Sequence, residues 1–218
     1  PGQLGKWLAM LVVFDLDGTV VDSPRVLLES HAAAWASVNR PCPPAETILE
    51  LIGLPLIDTM QKLDPTQDAE HLAEVYSKAY VEGAHHEKLF DGIDELLARP
   101  FRAAVATGKS QRGAERVVKQ FGFEGRFEIV LGGDSVPRAK PFPDMLEAIM
   151  KATGTTASEL VMIGDTTYDL EMAHAAGVKG IGVSWGHHAT DRLRKWAPVV
   201  DTVGELQQML NVTSRCQN

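Results

Sequence analysis

The strongest constraint on this chain is the stretch at residues 11–20, Leu-Val-Val-Phe-Asp-Leu-Asp-Gly-Thr-Val. Four apolar residues closed by a turn signal read as a strand buried on both faces, as in a parallel sheet. Two carboxylates, Asp15 and Asp17, stand at its C-terminal end. Buried charges cost several kcal/mol each unless paired or bound to a metal. The C-terminal edge of a parallel sheet is also where α/β proteins hold their ligands. Asp15 and Asp17 are therefore the expected reactive centre of a metal-dependent enzyme.

The chain has 218 residues, 44% of them hydrophobic, enough for one sizeable core with a smaller attached domain. Its net charge of -8, with no basic run, argues against nucleic acid and anionic membranes as partners. No apolar run approaches the roughly 20 residues of a membrane span. Cys42 and Cys216 are far apart and fit no metal spacing, so they read as reduced thiols in a cytoplasmic protein. Residues 1–9 are too short and polar for a signal peptide and read as an extension or a cloning remnant before Met10. Asn211-Val212-Thr213 fits a glycosylation pattern but is expected to be chance.

Past Thr19 the texture is helical. Pro24–Val38 reads as a helix, with Ser23 at the N-cap and Pro24 at the first position. Helical patterns follow at Ala45–Leu51, Leu56–Leu63 and Asp68 to about His85. No strand is expected between 21 and 89, so this block reads as a helical domain inserted into an α/β domain made of residues 10–20 and 90–218. From residue 90, strands alternate with helices. Expected strands are Arg102–Ala106, Phe127–Leu131, Leu160–Ile163 and Lys179–Val183; expected helices are 91–98, 110–121, 143–153, 169–176, 189–196 and 203–210. With the first strand this gives five, the pattern of a doubly wound parallel sheet.

Successive strand ends carry the chemistry. They deliver Asp15 and Asp17, then Thr107-Gly108, then Lys140, then Asp165 with Asp169 four residues on. Four clustered acids call for a cation. All-oxygen ligands favour Mg²⁺, and the lack of a His/Cys cluster argues against zinc. Mg²⁺, a lysine and a hydroxyl make a site for a phosphoryl group, whose transfer needs positioning and charge neutralisation. One carboxylate can attack phosphorus while a second moves a proton. Singly, each residue has a bland reading: a turn or N-cap acid, a surface lysine, a capping threonine, a first-turn acid for Asp169. Together at consecutive strand ends they favour a site. Gly108-Lys109-Ser110 looks like the tail of a P-loop, but that loop needs a glycine where Ala103 stands. His85-His86 and His187-His188 have no metal-clamp spacing and read as loop histidines.

Asp15-Leu16-Asp17-Gly18-Thr19, Thr107-Gly108, Lys140-Pro141, and Gly164-Asp165 with Asp169 resemble the four motifs of haloacid dehalogenase-like phosphohydrolases. The resemblance runs from Met10 onward. Gly132-Gly133-Asp134-Ser135-Val136-Pro137 and Val183-Ser184-Trp185-Gly186-His187 look like the phosphoglycolate phosphatase-like branch, and the helical block resembles its cap. The resemblance implies Asp15 as nucleophile and metal ligand. It implies Asp17 as general acid/base, with its backbone carbonyl on Mg²⁺. Thr107 and the Gly108 amide would bind phosphoryl oxygens, Lys140 would balance charge, Asp165 would hold Mg²⁺, and Asp169 would support them. A second acid at Asp17 disfavours a dehalogenase. The connection Glu95–Arg102 is shorter than this pattern leads one to expect.

The expected function is hydrolysis of a small phosphorylated metabolite, 2-phosphoglycolate being the first candidate, by a monomer or homodimer. A β-phosphoglucomutase-like sugar phosphomutase or a pyrophosphatase could use the same site, and a silent regulatory protein could keep the fold. The loop Gly53-Leu54-Pro55-Leu56 is expected to face the phosphate site, with Arg25 or Lys62 as candidate anchors for a substrate carboxylate.

Overall fold

The structure, a computed structural model, describes residues 10–210. The readings made of residues 1–9, of Asn211-Val212-Thr213 and of Cys216 lie outside the described residues. Six parallel strands form one sheet: β1 (Leu11–Phe14), β4 (Arg102–Ala106), β5 (Val130–Leu131), β6 (Leu160–Gly164), β7 (Lys179–Val183) and β8 (Val199–Val200), in the order β5-β4-β1-β6-β7-β8. The architecture is a doubly wound α/β sheet with flanking helices.

β1 shows why the sheet forms. Val12 and Phe14 join one core cluster, with Ile93, Leu96 and Val105; Leu11 and Val13 join the other, with Met145, Ile149 and Met162. The period-2 alternation of a strand thus buries both faces, which a continuous apolar run requires. Each such side chain contributes roughly 1.5–3 kcal/mol when fully removed from water. β1 runs in register with both neighbours, Phe14 lying opposite Val105 and Ile163. The residues just beyond those positions, Asp15, Thr107 and Asp165, therefore emerge on one edge.

Residues 24–83 hold four α-helices: α1 (Pro24–Ser37), α2 (Ala45–Leu49), α3 (Leu56–Leu63) and α4 (Ala69–Gly83). They bury a cluster of their own around Leu27, Trp35, Met60, Leu72 and Tyr76. The Asp68 side chain caps α4 by accepting from the Glu70 and His71 amides. α5 (Ile93–Leu97) precedes β4, and beyond β4 come α6 (Gln111–Gln120), α7 (Asp144–Thr153), α8 (Thr167–Ala175), α9 (Thr190–Leu193) and α10 (Val203–Met209). No helix among the described residues is long and apolar enough to cross a membrane.

The structure corrects several boundaries. Strands do occur between 21 and 89: β2 (Val21–Asp22) pairs antiparallel with β3 (Lys88–Leu89). β8 adds a sixth strand to the sheet. Two residues cannot show a period, so pattern reading passes over such strands. The strand expected at Phe127–Leu131 is regular only at Val130–Leu131, and Phe127 packs against the core beside Phe123. The helix expected at 189–196 closes after Leu193. α8 begins at Thr167, ahead of Asp169, because a capping box between Thr166 and Asp169 starts it.

Candidate active site

Asp15 follows β1 and is buried. Its Oδ1 accepts from the Leu16 amide at 2.7 Å and faces Lys140 Nζ at 2.9 Å. Its Oδ2 is buried with no partner. Burial pushes the Asp15 carboxyl up to about 7, against the pull of Lys140. Lys140, from the loop before α7, is itself buried and lies 2.5 Å from Asp169 Oδ1. Burial works against the charge on Lys140, but Asp15 and Asp169 outweigh it and raise its proton affinity above that of a free lysine. The other Asp169 oxygen accepts from the Thr166 amide and hydroxyl, at 3.1 and 2.7 Å. Asp169 thus caps a helix and balances a lysine at once.

Asp165 ends β6. Its Oδ1 accepts from the Thr19 hydroxyl at 3.0 Å, and its Oδ2 from the His187 amide at 2.8 Å, with His187 Nδ1 also at 2.8 Å. Burial alone would raise Asp165, but His187 and then Thr19 bring it below the usual carboxylate range. Asp15, Asp165 and Asp169 offer oxygens within 4.8 Å of one another. Three buried carboxylates, with one Asp15 oxygen unpartnered, fit a hard divalent cation.

The Asp17 carboxylate is directed elsewhere. It accepts from Ser23 Oγ at 2.5 Å and pairs with Lys109 Nζ at 2.9 Å. Ser23 occupies the N-cap position of α1, but its hydroxyl makes no cap bond and serves Asp17 instead. Lys109 also donates to the Tyr80 hydroxyl at 2.7 Å, and Tyr80 donates to Glu87 at 2.6 Å. Arg116 completes the chain at 3.0 Å from Glu87.

Two glycines permit close approach. Gly18 has φ +77°, and a Cβ there would strike Asp165 and His187. A Cβ on Gly108 would strike the carbonyls of Gly53 and Leu54, because that loop of the helical segment rests on the end of β4. The two layers enclose a cavity of about 950 Å³, lined below by Asp15, Asp17 and Thr107 and above by Leu27, His31 and Tyr76. Burial lowers His31 to about 4, so its ring is neutral against Tyr76. On the far side, the Glu50 carbonyl accepts from Tyr168 at 3.1 Å and faces His188 Nε2 at 3.1 Å. Arg192 binds the Glu50 carboxylate.

Asp15, Lys140, Asp165 and Asp169 thus share one buried cluster, and Asp17, Thr107 and Gly108 line the cavity beside it. Arg25 does not join them: it pairs with Glu29 on the surface of α1. Lys62 is exposed and does not line the cavity. Sequence reasoning passed over Lys109, Ser23, Tyr80 and His187. His187, read as a loop histidine, is held against Asp165 because Gly186 lets its backbone approach. Its place in the loop after β7, one more strand end on the same edge, was the available signal.

The chain matches the haloacid dehalogenase-like hydrolase family over residues 12–183. It is 35% identical to the probable phosphatase IndB of Dickeya dadantii, covering 90% of this chain and 91% of that protein. It is 32% identical to a phosphoglycolate phosphatase of Pseudomonas fluorescens, covering 94% and 84%. The fold matches a predicted phosphatase from Clostridium acetobutylicum with a TM-score of 0.84 at 24% identity, over 93% of this chain and 98% of that one. The chain belongs to the haloacid dehalogenase-like hydrolases and is an enzyme of their phosphatase type.

Proposed function

We propose that this enzyme is a Mg²⁺-dependent phosphomonoesterase of the cytoplasm that forms an aspartyl-phosphate on Asp15, with 2-phosphoglycolate as the first candidate substrate. The observation that carries the reading is the asymmetry of Asp15. One oxygen is fixed by Leu16 and Lys140, and the other is buried with no partner. That is the arrangement of an aimed nucleophile.

In this reading Asp15 attacks phosphorus, the bond to the ester oxygen breaks, and Asp17 gives that oxygen its proton. Asp17 then takes a proton from water as the water attacks phosphorus. The Asp15–phosphate bond breaks, and inorganic phosphate leaves. Thr107 and the Gly108 amide hold phosphoryl oxygens, and Lys140 balances the charge on Asp15 and the phosphoryl group. Asp15, Asp165 and the Asp17 carbonyl would hold Mg²⁺, with Asp169 supporting them. When bound, the ion neutralises phosphoryl charge. Residues 21–89 act as a cap whose loop at Gly53 closes over the phosphoryl group.

A phosphate-release screen over phosphorylated metabolites tests the reading. Metal-dependent release is expected, strongest among small acids. Release that survives exhaustive chelation would remove the metal from the reading.

A further inference from the structure

Lys109 has no task in the reaction as written, yet it pairs with the acid that the reaction needs free to move a proton. It follows Gly108 on the loop after β4. Its ammonium sits 2.9 Å from Asp17 Oδ2, with each side chain only 10% exposed. It also lies 4.0 Å from the centre of the Tyr80 ring and lines the cavity beside Asp15.

This pair makes a demand on whatever leaves from phosphorus. Asp17 has one oxygen held by Ser23 and the other by Lys109. To reach a leaving oxygen it must loosen one of them. A nearly buried ammonium deprived of its carboxylate is costly unless another anion replaces it. Tyr80 supplies none: it gives its own proton to Glu87, and burial and then Asp17 hold its phenol neutral. Glu87 is engaged by Arg116. The remaining lining cations, Lys78 and Arg112, are exposed, whereas Lys109 stands at the reacting end. A leaving group carrying its own anion exchanges one ion pair for another. A neutral leaving group strands the charge.

We propose that Lys109 selects the substrate: the enzyme favours phosphomonoesters whose leaving group bears a second anionic group a few bonds from the ester oxygen, and Lys109 passes from Asp17 to that group. The inference rests on the phosphatase reading and narrows its substrate class to acid-bearing esters.

The test compares 2-phosphoglycolate with 2-hydroxyethyl phosphate, of similar size but without the carboxylate, in the full-length enzyme with Mg²⁺. The expected ratio of kcat/KM is about 100, the scale of a lost buried charge pair. In Lys109→Met the ratio falls to about 1, with most of the change in KM for the acid; Lys109→Arg restores it in part. A wild-type ratio near 1, or a ratio that persists in Lys109→Met, overturns the proposal. A second measurement needs no variant. Phosphonoacetate should inhibit p-nitrophenyl phosphate turnover about tenfold more tightly than ethylphosphonate, and equal inhibition refutes the proposal. Wild-type enzyme that hydrolyses p-nitrophenyl phosphate without preferring the acid-bearing ester refutes this inference alone. An enzyme that hydrolyses no ester overturns the phosphatase reading with it.

Discussion

Asp169 Oδ1 lies 2.5 Å from Lys140 Nζ, while its other oxygen starts helix α8. The lysine of the site is thus fixed by a residue that the fold already needs. Asp169→Asn keeps an acceptor for Thr166 but removes one of the two charges facing a buried ammonium. We expect a loss of about 2 kcal/mol, read as a lower urea midpoint with an unchanged slope. A fall in kcat of about tenfold is expected alongside, because Lys140 is held by Asp15 alone.

Asp15→Asn removes the proposed nucleophile while preserving its size. Turnover should fall by about 10⁴-fold or more, and no phosphoryl label should remain on the protein after rapid quench. Substantial label on the variant would place the nucleophile elsewhere.

Mg²⁺ should stabilise the folded protein by binding it in preference to the unfolded chain. The thermal midpoint of wild type should rise with added Mg²⁺. Asp165→Asn, lacking one carboxylate of the cluster, should show a much smaller rise. An equal rise in both would move the ion to another site.

Gly108→Ala places a methyl group against the Gly53 and Leu54 carbonyls. Overpacking of this kind costs about 1–3 kcal/mol, and here the cost falls on the contact between the helical layer and the sheet. An increase in KM of about tenfold is expected, with secondary structure unchanged by circular dichroism.

His31 links the helical layer to pH. Burial lowers its folded-state value from 6.5 to about 4. Between those values the unfolded chain binds more protons than the folded one, so stability rises with pH across the window. Its contribution is fully present above about 6.5 and lost as pH falls toward 4, a swing of about 3 kcal/mol. His31→Phe, which keeps a ring against Tyr76, should flatten that part of the urea-midpoint profile. An unchanged slope would show that His31 titrates freely.

The sheet was legible where burial leaves a long signature. β1 and β6 are apolar runs ending in acids, and α7 and α8 carry clear stops in Gly154 and Gly177. Strands β2, β3 and β8 were not legible, because two residues carry no period. The acids of the site stand at strand ends in chain order, so the parallel sheet alone gathers them. The Asp17–Lys109 and Asp165–His187 contacts join loops that follow different strands. The second depends on close approach at Gly18 and Gly186, and no local pattern records either contact. Ser23 shows the converse: a correct position for an N-cap, with its hydroxyl spent on a distant carboxylate.

The β2–β3 ribbon has a consequence for how such a chain can change. Val21 lies opposite Leu89 and Asp22 opposite Lys88, so the polypeptide departs from the sheet and comes back at neighbouring points. Everything between them is a detour that leaves the strand order untouched. Its length and composition can drift, or be exchanged for another segment, without rethreading β1 and β4. On the proposed function, the segment that would meet the variable end of a substrate is thereby free to diversify, while the sheet edge that would handle phosphorus stays fixed.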